Sequence, residues 1–302
     1  MTRLRERRWF PLVWIIPAAL VLLALAIVAA RWLRETPEWV EFAASFPGTT
    51  ELPAGSPVGL PAWLGWQHFL NSFFLLFIVR SALLIRGKQR PPAFVTRRNE
   101  GMLRTKGAPR RLSIHVWWHL VVDTLWVVNG VVYVVLLFAS GQWVRVVPLG
   151  WDVIPNAVTA GVQYLSLDWP AHEGWVHYNA LQLLSYFATV FLAGPLALLT
   201  GLRLSPVWKH EWRINRLLTE KLARSLHFGV LVYFIAFTVV HVGLVLTTGA
   251  LRNLNTMYAG RTDDSWVGAL VFAGSLVVML AAWVLLRVPV QKKIALLGGT
   301  VR

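Results

Sequence analysis

The chain has 302 residues, 56% of them hydrophobic and only 14% charged, with a mean hydropathy of +0.56. The apolar residues stand in long uncharged runs, which excludes an ordinary soluble enzyme. The absence of cysteine excludes disulfides, cysteine-ligated zinc or iron–sulfur centres and covalently attached c-type haem.

A bilayer core about 30 Å thick takes roughly 20 apolar helical residues to cross. Six runs qualify: Trp9 to Ala30, Leu60 to Ile85, Ile114 to Phe138, Tyr178 to Thr200, Leu226 to Thr248 and Trp266 to Leu286. Of these, only the second and third hold a charge, Arg80 and Asp123 respectively. The runs are continuous, and lipid offers a backbone no hydrogen-bond partners, so they are read as helices and not as barrel strands. The expected fold is an all-α polytopic membrane protein with six transmembrane helices. Basic residues ahead of an apolar run ending Ile-Val-Ala-Ala would also suit a secretory signal. The run is long for one, at about 22 residues, and contains Pro11 and Pro17, so it is read as an uncleaved anchor.

The net charge of +15 would suggest nucleic acid in a soluble protein, but its distribution suggests topology instead. Four basic residues precede the first span, nine lie between the second and third, six between the fourth and fifth, and four follow the sixth. The three intervening loops together hold five. Both termini are therefore expected on the cytoplasmic side, with the basic charge facing anionic lipid headgroups and no nucleic-acid partner. The expected external loops differ. Residues 31–59 are acidic, with Glu35, Glu38, Glu41 and Glu51, whereas residues 139–177 carry Trp143, Trp151, Trp169 and Trp175 and a stretch, Val153 to Leu167, that could form a short surface helix. This second loop is either an interfacial aromatic belt, or a cap over a cofactor or a dock for an external partner.

Ionisable residues inside a membrane are expensive and usually functional. His227 and His241 lie on the fifth span, 14 residues apart, which corresponds to about 21 Å along a helix and only about 40° around it. His68 enters the second span from outside, at the depth of His241. His119 enters the third from inside, at the depth of His227. Two stacked His–His pairs are the arrangement that two b-type haems need, each iron taking axial imidazoles from facing helices. Gly229 and Gly243 each follow a ligand by two residues and would let a ring or a neighbouring helix approach. His115, one turn before His119, is the rival for the inner position. His177 could reach the outer haem or lie at the interface, and His172 and His210 are read as facing solvent. Arg80 and Asp123 are read as neutralising each other; the alternative is that Arg80 holds a haem propionate while Asp123 handles a proton at a quinone pocket.

With these residues in place, the sequence resembles the bacterial di-haem cytochrome b561 family, which includes the cytochrome b subunits of nickel-iron hydrogenases and formate dehydrogenases. The resemblance is carried by Trp66-Gln67-His68-Phe69-Leu70-Asn71, by Trp117-Trp118-His119-Leu120, and by His227 with His241. It covers roughly residues 60–250 and implies a four-helix di-haem core there, with an anchor helix and acidic loop at 1–59 and a sixth helix and tail at 251–302 outside it. An extra leading span inverts the core relative to the formate dehydrogenase subunits. Ser140-Gly141-Gln142-Trp143 and Trp151-Asp152-Val153-Ile154-Pro155-Asn156 are also similar to actinobacterial cytochromes b that accompany molybdopterin oxidoreductases of the sulfite-oxidase type. These resemblances imply an electron-transfer subunit in a bacterial plasma membrane. It would hold two non-covalent b haems and pass electrons between an external molybdopterin partner and menaquinone or ubiquinone. The rival classes are a transporter or proton channel using membrane His and Asp, and a haem-free membrane anchor.

Overall fold

The computed structural model describes residues 12–87, 90–100, 104, 107–169, 175–209 and 211–302. Among them, six helices are long and apolar enough to cross a membrane: α1 (Leu12–Arg34), α3 (Ala62–Arg86), α4 (Ile114–Ala139), α6 (Ala180–Leu204), α7 (Glu220–Thr247) and α9 (Val267–Leu285). The protein is thus an all-α, multi-pass membrane protein. The shorter helices are α2 (Pro37–Ser45), α5 (Val153–Leu165), α8 (Ala250–Leu254) and α10 (Val288–Gly298). The chain divides into two compact units, the described part of Met1–Ser56 with Gln142–Ala188, and Pro57–Gly141 with Thr189–Arg302.

The first unit joins the two loops expected to be external. Thr36 caps α2, its hydroxyl accepting from the Trp39 N–H, and Pro37 occupies the first turn, where a missing N–H costs nothing. Gly48, at φ +96°, donates its N–H to the buried Asn156 side chain (2.9 Å) and accepts from the Ala180 N–H (2.9 Å). One residue therefore ties the loop after α1 to α5 and to the start of α6, which places the loops after the first and third spans on one side of the membrane. The surface helix expected over 153–167 exists as α5. Its Val153, Ala157 and Ala160 are buried, while Ile154 and Val158 on the opposite face are exposed beside Trp151.

In the second unit, α3 packs along α4 through Phe77, Trp118 and Val122, with Phe73, Phe74 and Ala282 around them. At one end stands a three-stranded sheet of β1 (Phe94–Arg97), β2 (Leu112–Ser113) and β3 (Gly299–Val301), in the order β2-β1-β3. Both pairings are antiparallel, with Val95 opposite Leu112 on one side and Val301 on the other. Ala93, Val95, Ile114 and Ala295 form the core beneath it. Gly299 lies so close to the Thr96 backbone that a Cβ there would collide with it. The sequence reading took both segments for basic loop and tail. The sheet forms because β-branched Val95, Thr96, Thr300 and Val301 meet in register, a long-range match that local periodicity does not reveal. It fixes the segments after the second and sixth spans to the same side of the membrane.

Two spans differ in detail from expectation. The helix α7 starts six residues earlier than the apolar run, because Thr219 caps it through the Leu222 N–H. The helix α6 is interrupted by a π-turn at Ala188–Ala193, just before Pro195, which cannot supply the next helical N–H.

Candidate functional site

The second unit brings the four histidines together as two pairs. The rings of His68 on α3 and His241 on α7 have centroids 6.1 Å apart. Those of His119 on α4 and His227 on α7 are 6.2 Å apart. Contacting ring pairs range over about 4.5–7 Å, so neither distance alone identifies a ligand site. Their equality, on helices that otherwise stand apart, is the signal. The helix α3 packs along α4 and α7 packs along α6, while α7 does not pack comparably along α3 or α4.

The fit to a bridging metal can be tested directly. Two metal–imidazole bonds of about 2 Å, with roughly 1 Å from each nitrogen to its ring centre, set opposed rings roughly 6 Å apart. Both pairs meet this separation. Apart from their own helix backbone and chain neighbours, no atom of the described residues lies within 4 Å of where a Cβ on Gly229 or Gly243 would sit, so the space in front of them is open.

Hydroxyl groups fix the inner rings. Ser81 Oγ lies 2.8 Å from His119 Nδ1 and donates its own proton to Phe77 O at 2.8 Å. With that proton on the carbonyl, Ser81 can only accept from the imidazole, an arrangement that would put the hydrogen on Nδ1 and leave Nε2, 3.4 Å from Asp123 Oδ2, for a metal. Thr200 repeats the device on α6: Oγ1 donates to Leu196 O at 2.6 Å and lies 3.0 Å from His227 Nδ1. Both hydroxyl residues are buried. Gly201, next to Thr200, makes room for the ring, since a Cβ there would touch His227 Cε1 at 3.4 Å. These contacts leave each inner histidine with the nitrogen that a metal takes, oriented by its other nitrogen.

The outer pair is held differently. His68 Nδ1 is 3.1 Å from the Tyr258 hydroxyl, and the two rings meet edge to face at 5.6 Å. His241 lies flat against Phe237, at 5.4 Å and 6° between planes. Phe237 in turn stacks on Tyr233, whose hydroxyl pairs with Thr189 at 2.8 Å.

The remaining expectations are corrected or located as follows. Arg80 and Asp123 do not neutralise each other. Arg80 donates to Trp283 O at 2.9 Å and lies over the Trp283 ring at 4.4 Å, because α9 offers it both a carbonyl and an aromatic face. Asp123 sits one helical turn from His119, with Oδ2 3.4 Å from Nε2. His119, and not His115, is the residue paired with His227. His177 belongs to the first unit, where its buried Nδ1 has no hydrogen-bond partner among the described residues. His172 and His210 lie outside the described residues. Sequence reasoning missed Ser81, Thr200, Gly201, Phe237 and Tyr258. A search for hydroxyls within the apolar runs would have found Ser81 and Thr200; Tyr258 lies outside every run and gave no such signal. Arg86, at the end of α3, lies 3.9 Å over the Phe228 ring, next in the chain to His227.

Compared with protein-family models, with curated proteins and with solved structures, the chain matches none.

Proposed function

We propose that this chain is a di-haem b-type cytochrome of the cytochrome b561 kind, a membrane electron-transfer subunit with one haem toward each surface. His68 and His241 would hold the outer haem, and His119 and His227 the inner one. The observation that carries this reading is the pair of equal imidazole separations, 6.1 and 6.2 Å, with the His68, His119 and His227 rings hydrogen-bonded through Nδ1 and His241 stacked on Phe237. When bound, each haem supplies a one-electron couple at its iron. The chain's own part is to orient the imidazoles, to keep Nε2 unprotonated and to surround the site with apolar helix faces that exclude water. Arg80 and Arg86 are the cations available to propionates near the inner site. Arg80 has spent one of its five N–H donors on Trp283. The resemblance supplies the rest of the reading: an external molybdopterin oxidoreductase as one electron partner, a membrane quinone as the other, and a bacterial plasma membrane with both termini cytoplasmic. The exposed Trp151, Ile154 and Val158 surface is where such an external partner would meet the first unit.

The test is a reduced-minus-oxidised visible spectrum of the protein purified in detergent, with haem and iron quantified per chain. Two b-type haems are expected. One observation favours a second reading: the Asp123 carboxylate near His119 Nε2 would suit a proton relay in a transporter or channel. That reading expects a colourless, folded protein whose proton flux in vesicles is lost in Asp123→Asn. A colourless, folded protein without such flux would leave the haem-free anchor.

A further inference from the structure

The outer pair depends on a segment that lies beyond the expected four-helix core. Tyr258 belongs to a π-turn, Asn255–Ala259, between α8 and α9. That turn is built far more tightly than a link between two spans needs. Asn255 is fully buried. Its Nδ2 donates to Asp263 O and Ser265 O, both at 2.7 Å, and its Oδ1 accepts from the Gly268 N–H. Two glycines let the turn approach its neighbours. A Cβ on Gly65, three residues before His68, would come within 2.6 Å of Met257 O, and a Cβ on Gly268 would collide with the backbone of Leu254 and Asn255. A side chain at Gly65 pushes the turn away from α3, and one at Gly268 pushes it away from α9; either displaces Tyr258.

The Tyr258 ring packs on Phe272 of α9 at 5.4 Å. With His68 donating its Nδ1–H to the Tyr258 oxygen, Nε2 is the nitrogen left for a metal. Tyr258 thereby does for His68 what Ser81 does for His119, with a phenol from another part of the chain.

We infer that the π-turn and α9 are part of the outer ligand site, Tyr258 being the positioning residue that sets the His68 tautomer and ring orientation and so distinguishes the outer haem from the inner. This rests on the di-haem reading. Losing the outer-shell partner of a metal-ligating histidine weakens metal retention by about 10- to 100-fold.

The experiment uses the full-length protein in detergent, with haem content, low-temperature reduced spectra and redox titration recorded for wild type, Tyr258→Phe and Asn255→Ala. His241→Ala, which keeps only the inner site, assigns the signals. In Tyr258→Phe the outer haem should be retained about 10- to 100-fold less tightly, and its midpoint potential should shift, with the inner signal unmoved. Asn255→Ala should act on the same haem in the same direction. Tyr258→Phe with both haems and both potentials as in wild type overturns the inference and leaves the di-haem reading standing, as does an equal loss of both haems. A wild-type protein without haem overturns both.

Discussion

The inner and outer histidine pairs solve one problem with different parts of the chain. The inner rings are each fixed by an alcohol one helix away, Ser81 on α3 and Thr200 on α6, and both alcohols return their own protons to carbonyls of the preceding turn. Nothing outside the spans is needed. The outer rings take a phenol from a turn between spans and a flat phenylalanine from α7 itself. The inner site is therefore as stable as the helix bundle, while the outer site is only as well placed as the loop that brings Tyr258.

That contrast can be broken most severely at the ligands. His227→Ala and His241→Ala should each leave one haem of two, read by haem quantification and by which spectral component survives. His115→Ala should leave both, and loss of the inner haem in that variant would move the ligand role away from His119. Next in size, Ser81→Ala removes the hydroxyl beside His119 Nδ1 and should loosen the inner haem by about 10- to 100-fold, while Gly201→Leu, which pushes a side chain into the His227 ring, should act on the same haem. Neither should touch the outer component. Gly299→Ala forces a methyl against the Thr96 backbone and should cost about 1–3 kcal/mol, seen as a lower unfolding temperature in detergent with both spectra unchanged.

The smallest effect is electrostatic. Hydrogen bonds from Ser265 and Arg261 hold the Asp263 carboxyl below the usual carboxylate range. A depressed carboxyl stabilises the folded loop at neutral pH, and that contribution is lost as pH falls through its folded-state value. Asp263 is exposed, so the loss should appear only as faster proteolysis of residues 249–266 in strong acid, with an outer haem signal that weakens before the inner one.

Much of the frame was legible in the sequence. Run length located the six long helices of the described residues, and the 14-residue spacing on one helix, with matched entry depths on two others, selected the histidine partners that the structure brings together in pairs. What stayed hidden was what holds those rings. Ser81 and Thr200 are uncharged, so a search for costly groups in lipid passed over them. Tyr258 reaches His68 only through a turn shaped by Asn255, Gly65 and Gly268, and a turn of that kind has no periodicity to read. The Arg80–Asp123 expectation failed for a related reason: the direction each side chain takes depends on neighbours such as Trp283 and His119, which position along a span does not reveal.

Strand β3 closes on β1 across more than 200 residues of intervening chain, Val301 meeting Val95. Contacts between such distant segments form late, because loop closure must precede any gain from them. Here the intervening chain includes α4, α6, α7 and α9, all of which must be inserted in the bilayer before the two edges can meet. β1 can pair with the nearby β2 early, but its other edge stays open until the last span is threaded and β3 arrives.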